Sequence, residues 1–105
     1  MLKVYGNSNC YDCINCKMNF DKYHIEYEFI DILASLKNLK EFLYYRDEYK
    51  EVFSRLIEIH DIGIPCIIDD KNVFTDWETY LKNKGFIELD YIDMHNACSI
   101  DGKGC

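Results

Sequence analysis

The sequence predicts an α/β fold: a four-stranded mixed sheet with flanking helices, an extended middle helical region and a C-terminal tail. Three observations carry that expectation. Apolar spacing switches along the chain between a period near two and a period near 3.6, so strands and helices interleave. The resulting order is strand, helix, strand, helices, strand, strand, helix, a βαβ unit followed by a ββα unit. The 105 residues, 49% hydrophobic with nine Tyr and six Phe, suffice for one core and not for two.

"LKVYG" alternates around Val4 and Tyr5 and stops at Gly6, as a short buried strand does. Cys13, Cys16, Phe20 and Tyr23 then recur at helical spacing, which predicts a helix from about Tyr11 to Tyr23. "EYEFIDI", Glu26 to Ile32, alternates and is rich in aromatic and β-branched residues, so it reads as the second strand. Ser35 to His60 is helical in two pieces. Leu36, Leu39, Phe42 and Leu43 form one apolar stripe and Phe53, Leu56, Ile57 and His60 another, with the polar "RDEYK" as the junction.

"IPCII" reads as a strand, and "DDKN" as a tight turn into Val73 and Phe74, which completes a hairpin. The last helix has the clearest limits. Thr75 and Glu78 have capping-box spacing, Lys82 and Lys84 suit the negative end of the dipole, and Gly85 ends it. Residues 1–85 thus form the domain, and residues 86–105 a C-terminal extension that carries Cys98 and Cys105.

A formal charge of −7 argues against nucleic acid and against an anionic membrane surface as partners, since both attract basic faces. No stretch approaches the roughly 18 apolar residues of a membrane span, and the start lacks the apolar region of a signal peptide. A cytoplasmic location is expected. There, the six cysteines, Cys10, Cys13, Cys16, Cys66, Cys98 and Cys105, read as catalytic or metal-binding before they read as a permanent disulfide frame.

"NCYDCINC" puts three thiols into seven positions at the junction of the first strand and helix. Free backbone N–H groups and the positive end of the helix dipole favour a thiolate at Cys10. Cys13, one turn in, can attack a mixed disulfide formed at Cys10, so the pair divides into exposed nucleophile and half-buried resolver. The carboxylate of Asp12 opposes the dipole at Cys10, and spacing does not rank the two effects. Cys16, on the stripe with Phe20, reads as an apolar filler, and Cys66, His60 and Trp77 read as packing residues. The alternative is a metal site, zinc or iron–sulfur, built on Cys10, Cys13 and further ligands. It lacks the fourth cysteine of an iron–sulfur run, Phe20 standing there. Zinc would have to recruit Cys66, a tail cysteine, His60 or His95. Pro65, the single proline, opens a strand after Ile64 and suits either a cis bond or an edge-strand trans bond.

Together these residues resemble the glutaredoxin family of the thioredoxin fold, and more specifically bacterial glutaredoxin-related proteins. "VYGNSNCYDC" stands where the family has a strand, a polar turn and C-P-Y-C. "GIPCIIDD" stands at its cis-proline loop and third strand, and "FTDWETYL" at the start of its last helix. The likeness covers about residues 2–85. It implies a thioredoxin-like domain that reduces protein or glutathione mixed disulfides, with Cys10 as nucleophile and Cys13 as resolving thiol. Tyr11, Ile64, Pro65, Thr75 and Asp76 then form the substrate-binding set, with Ile64-Pro65 as the docking turn.

The resemblance implies no bound cofactor. Glutathione enters as a co-substrate, and glutathione or a reductase restores the dithiol. The chain departs from the family where Asn7 replaces a lysine and Phe74-Thr75 replace a pair of glycines, leaving Asp76 as the one retained glutathione contact. Weak glutathione binding is expected. Cys98 and Cys105, seven residues apart with Gly102 and Gly104 between, are candidates for an auxiliary redox role.

Overall fold

The computed structural model describes residues 1–92. Its strands are β1 (Leu2–Gly6), β2 (Tyr27–Asp31), β3 (Cys66–Asp69) and β4 (Asn72–Phe74). Its helices are α1 (Tyr11–Lys22), α2 (Leu36–Glu48), α3 (Lys50–Glu58) and α4 (Trp77–Asn83). The sheet runs in the order β2-β1-β3-β4. Val4 pairs with Phe29 in a parallel ladder and with Ile67 in an antiparallel one, and Ile68 pairs with Val73 across the hairpin. This is the mixed four-stranded sheet with flanking helices that the apolar periods predict.

The pleat sends alternate residues to two cores. Leu2, Val4 and Ile67 pack with Cys16 and Phe20 of α1 and with Trp77 and Leu81 of α4. Tyr5, Ile30, Cys66 and Ile68 pack with Phe42 of α2 and Phe53 of α3. Phe42 and Phe53 meet edge to face at 6.4 Å and join the two middle helices.

Three expectations need correction. The cap of α4 is Asp76, not Thr75: its carboxylate accepts from the Thr79 N–H at 3.0 Å and the Thr79 hydroxyl at 2.7 Å. A residue that bonds both groups outcompetes the hydroxyl one position earlier. Glu78 instead accepts a hydrogen bond from the Tyr91 hydroxyl. His60 is not a packing residue, for α3 stops at Glu58 and His60 is exposed in the left-handed region at φ 62°. Leu36 likewise leaves its stripe: it is the first residue of α2 and is 78% exposed.

Residues 86–92 do not simply trail away from the domain. The chain turns at Gly85 (φ 89°) and runs back along α1. Phe86 stacks on Tyr23 at 4.4 Å, and the Glu88 carbonyl accepts from Lys22 and Tyr23. Asp90 pairs with Lys22 at 3.3 Å. Among the described residues, no helix is long and apolar enough to cross a membrane.

Candidate active site

β1 delivers the chain to a three-residue polar turn, and α1 begins directly after it. Asn7 fixes that turn. Its carbonyl accepts from the Cys10 N–H at 3.1 Å and its Oδ1 from the Asn9 N–H at 2.8 Å. Its Nδ2 donates to Asp31 Oδ1 at 2.8 Å, which ties the turn to the end of β2. Buried and fully engaged, Asn7 is a brace and not merely a missing lysine.

Cys10 is the N-cap of α1, with extended backbone at φ −96° and ψ 115°. Its sulfur accepts from the Cys13 N–H at 3.2 Å, the place that a Ser or Asp oxygen takes in most helices. A hydrogen bond from the Cys13 thiol lowers the Cys10 pKa, and the Cys13 and Asp12 backbone N–H groups add to this against burial and the Asp12 carboxylate. The Cys13 thiol is pushed up, first by that same bond to Cys10 and then by burial. The two thiols are thus pushed in opposite directions, Cys10 toward the thiolate and Cys13 toward the protonated form. The hydrogen bonds to Cys10, that of the Cys13 thiol first, prevail over Asp12, whose carboxylate accepts from the Trp77 indole N–H at 3.1 Å.

The pair is less open than expected. Cys10 is 2% exposed and Cys13 0%, so hydrogen bonding separates their roles more than exposure does. The Cys10 sulfur lies 4.0 Å from the Ile64 carbonyl oxygen, beside the cis Ile64-Pro65 bond. It also borders a cleft of about 160 Å³. Asn7 and Asn9 form one side, and Ile32, Leu33, Ile62 and Ile64 supply apolar walls.

Tyr11, at the first position of α1, is half-buried, and Pro65 is buried beside Ile64. Of the expected substrate residues only Ile64 lines the cleft with Cys10. Asp76 is occupied as a cap and borders a different depression with Phe74 and Tyr80, while the Thr75 carbonyl accepts from the Trp77 N–H at 2.9 Å. Cys98, Cys105 and His95 lie outside the described residues.

Sequence reasoning missed the cleft walls: it ends the second strand at Ile32, whereas β2 stops at Asp31, and Leu33 and Ile62 sit on loops where no period marks a face. It also missed why β1 ends in glycine. A Cβ at Gly6 would lie 2.7 Å from the Cys13 sulfur and 3.2 Å from the Phe29 ring. A glycine before the polar turn was a readable sign of that close approach.

Cys16 and Cys66 are fully buried, and burial pushes both thiols up, Cys66 to about 12. Cys16 packs in the core on the other face from Cys10 and Cys13. Among the described residues, no three His, Cys, Asp or Glu side chains are grouped to hold a metal ion. No protein-family model, no curated protein and no solved structure matches this chain significantly.

Proposed function

We propose that this chain is a cytoplasmic dithiol–disulfide oxidoreductase of thioredoxin-like fold, akin to the glutaredoxins. One observation carries the reading: the sulfur of Cys10 caps α1 and accepts from the Cys13 N–H at 3.2 Å, with the Cys13 thiol pushed up and the Cys10 thiol down. That arrangement separates an attacking thiolate from a resolving thiol.

The Cys10 thiolate attacks one sulfur of a substrate disulfide. The S–S bond breaks, the second sulfur leaves as a thiolate and takes a proton, and a mixed disulfide remains on Cys10. The charge on Cys10 is then gone. With it goes the largest influence holding the proton on Cys13, its hydrogen bond to Cys10. Cys13 loses its proton, attacks Cys10 and releases the second substrate thiol. Two electrons have passed to the substrate, leaving a Cys10–Cys13 disulfide for glutathione or a reductase to reduce.

The apolar cleft walls favour a protein disulfide flanked by apolar residues over glutathione. The Asn7 brace leaves no cation at the turn for a glutathione carboxylate. Turnover of bis(2-hydroxyethyl) disulfide with a dithiol reductant tests the reading. Wild type turns over and Cys10→Ser does not. Near-normal turnover by Cys10→Ser would refute it.

A further inference from the structure

Two large aliphatic side chains beside Cys10 stand in solvent on backbone that is held in place. Leu33 is 67% exposed and Ile62 41%, and both border the cleft that the Cys10 sulfur borders. The Leu33 N–H donates to Asp31 Oδ1 at 2.9 Å, and the same oxygen accepts from Asn7. Ile62 stands between two fixed points. Asp61, before it, is held at both backbone groups. Its N–H donates to the Leu56 carbonyl at 2.8 Å, and its carbonyl accepts from Arg46 Nη2 of α2 at 3.2 Å. Gly63, after it, has φ 97° and packs so closely on α3 that a Cβ would lie 2.9 Å from the Phe53 ring. Aliphatic groups kept in water at braced positions around a reactive sulfur mark a binding surface.

Size and charge define what fits. A cavity of about 150 Å³ lined by aliphatic side chains takes up benzene. The cleft of about 160 Å³ therefore holds one Leu, Met or Phe side chain. None of the described residues that line it is charged, and the residues that precede its walls at Ile32 and Ile62 are Asp31 and Asp61. An acidic group is disfavoured beside those carboxylates. In a substrate chain whose cysteine reaches Cys10, the next residue is only one Cα step away, about 3.8 Å. We propose that Leu33 and Ile62 clamp a large apolar side chain adjacent in sequence to the cysteine of a protein disulfide, and that Arg46 is the positioning residue that sets the Ile62 side of the clamp. This rests on the oxidoreductase reading above and narrows its substrates to non-acidic segments with an apolar neighbour to the cysteine. The disulfide exchange at Cys10 and Cys13 is unchanged.

The test uses the full chain with dithiothreitol and the symmetric disulfides of three capped tripeptides, Leu-Cys-Leu, Gly-Cys-Gly and Glu-Cys-Glu. For wild type, kcat/KM for the Leu peptide should exceed the other two by about tenfold, with the difference in KM. Leu33→Ser combined with Ile62→Ser changes two exposed side chains outside the buried core, and should bring the three values to within about twofold. Arg46→Met should reduce the Leu preference by about threefold while the Cys10 labelling midpoint stays in place. Arg46→Lys, which keeps a donor for the Asp61 carbonyl, should restore the preference. A purely structural role for Arg46 would lower all three rates together. Equal values for the three peptides in wild type, with bis(2-hydroxyethyl) disulfide still turned over, would overturn the clamp and leave the oxidoreductase reading intact. A Leu preference that survives the double substitution would overturn the assignment to Leu33 and Ile62. A preference unmoved by Arg46→Met, or a Cys10 midpoint that moves with it, would overturn the positioning role. Failure to reduce any of the peptides or bis(2-hydroxyethyl) disulfide would overturn the reading beneath.

Discussion

The indole N–H of Trp77 donates to the carboxylate of Asp12 at 3.1 Å, so a residue of α4 holds the only charged side chain between Cys10 and Cys13. Burial raises the pKa of that carboxyl and the Trp77 bond lowers it. Asp12 in turn raises the Cys10 pKa. Asp12→Asn should therefore move the Cys10 titration to lower pH, read from the pH dependence of iodoacetamide labelling. Trp77→Phe leaves a half-buried carboxyl without its donor and should destabilise the domain by about 1–3 kcal/mol, measured by denaturant unfolding.

Cys13→Ala removes the thiol hydrogen bond that does most to hold charge on Cys10. The Cys10 titration should move up toward the ordinary thiol value. The same linkage has a stability consequence. A thiol whose folded pKa is lowered contributes stability that is fully present above its unfolded pKa and is lost as pH falls through the folded pKa. Under reducing conditions, the stability of wild type relative to Cys10→Ser should increase between those two values as pH rises. A gap that narrows over that window would contradict the assignment of the thiolate to Cys10.

Gly6→Ala places a methyl group 2.7 Å from the Cys13 sulfur and 3.2 Å from Phe29, with no open space on either side. Overpacking of this kind costs about 1–3 kcal/mol. The displaced Cys13 should also resolve mixed disulfides more slowly. Unfolding and single-turnover kinetics check the two effects, and an unchanged resolution rate would show that Cys13 has room to move.

Asn7→Lys restores the charge expected of the glutaredoxin pattern but breaks the hydrogen bonds to Asp31 and Asn9. Stability should fall by about 1–3 kcal/mol, and turnover of small disulfides should fall with it because the turn no longer fixes Cys10. A gain in deglutathionylation at unchanged stability would mean that the charge matters more than the brace.

The sheet and its helices were legible from local signals: alternation in β1 and β2, apolar stripes in α1 to α3, an apolar run and a tight turn for the β3–β4 hairpin, and end signals for α4. Local pattern also marked the C-x-x-C at the start of α1. The Thr75 cap failed for a local reason as well: two cap-forming residues stand side by side, and the sequence does not say which turns inward. Long-range features were harder to read. Nothing near Trp77 announces that its indole reaches Asp12, 65 residues away. Asn15 and Asn19 look like ordinary polar helix residues until the returning chain takes up their amides, 77 and 71 residues distant. The cleft is similar, since Ile32 and Ile62 come from loops that only the folded sheet brings to Cys10.

The central claim is that Cys10 holds the reactive thiolate, and residue-resolved labelling tests it most directly. Fully reduced wild type is pulsed with iodoacetamide across a pH series, unfolded and peptide-mapped for each cysteine. Cys10 should label fastest, with a midpoint below the ordinary thiol value, while Cys13, Cys16 and Cys66 stay unlabelled near neutral pH. Labelling of Cys13 ahead of Cys10, or a Cys10 midpoint at or above that of a free thiol, would contradict the account.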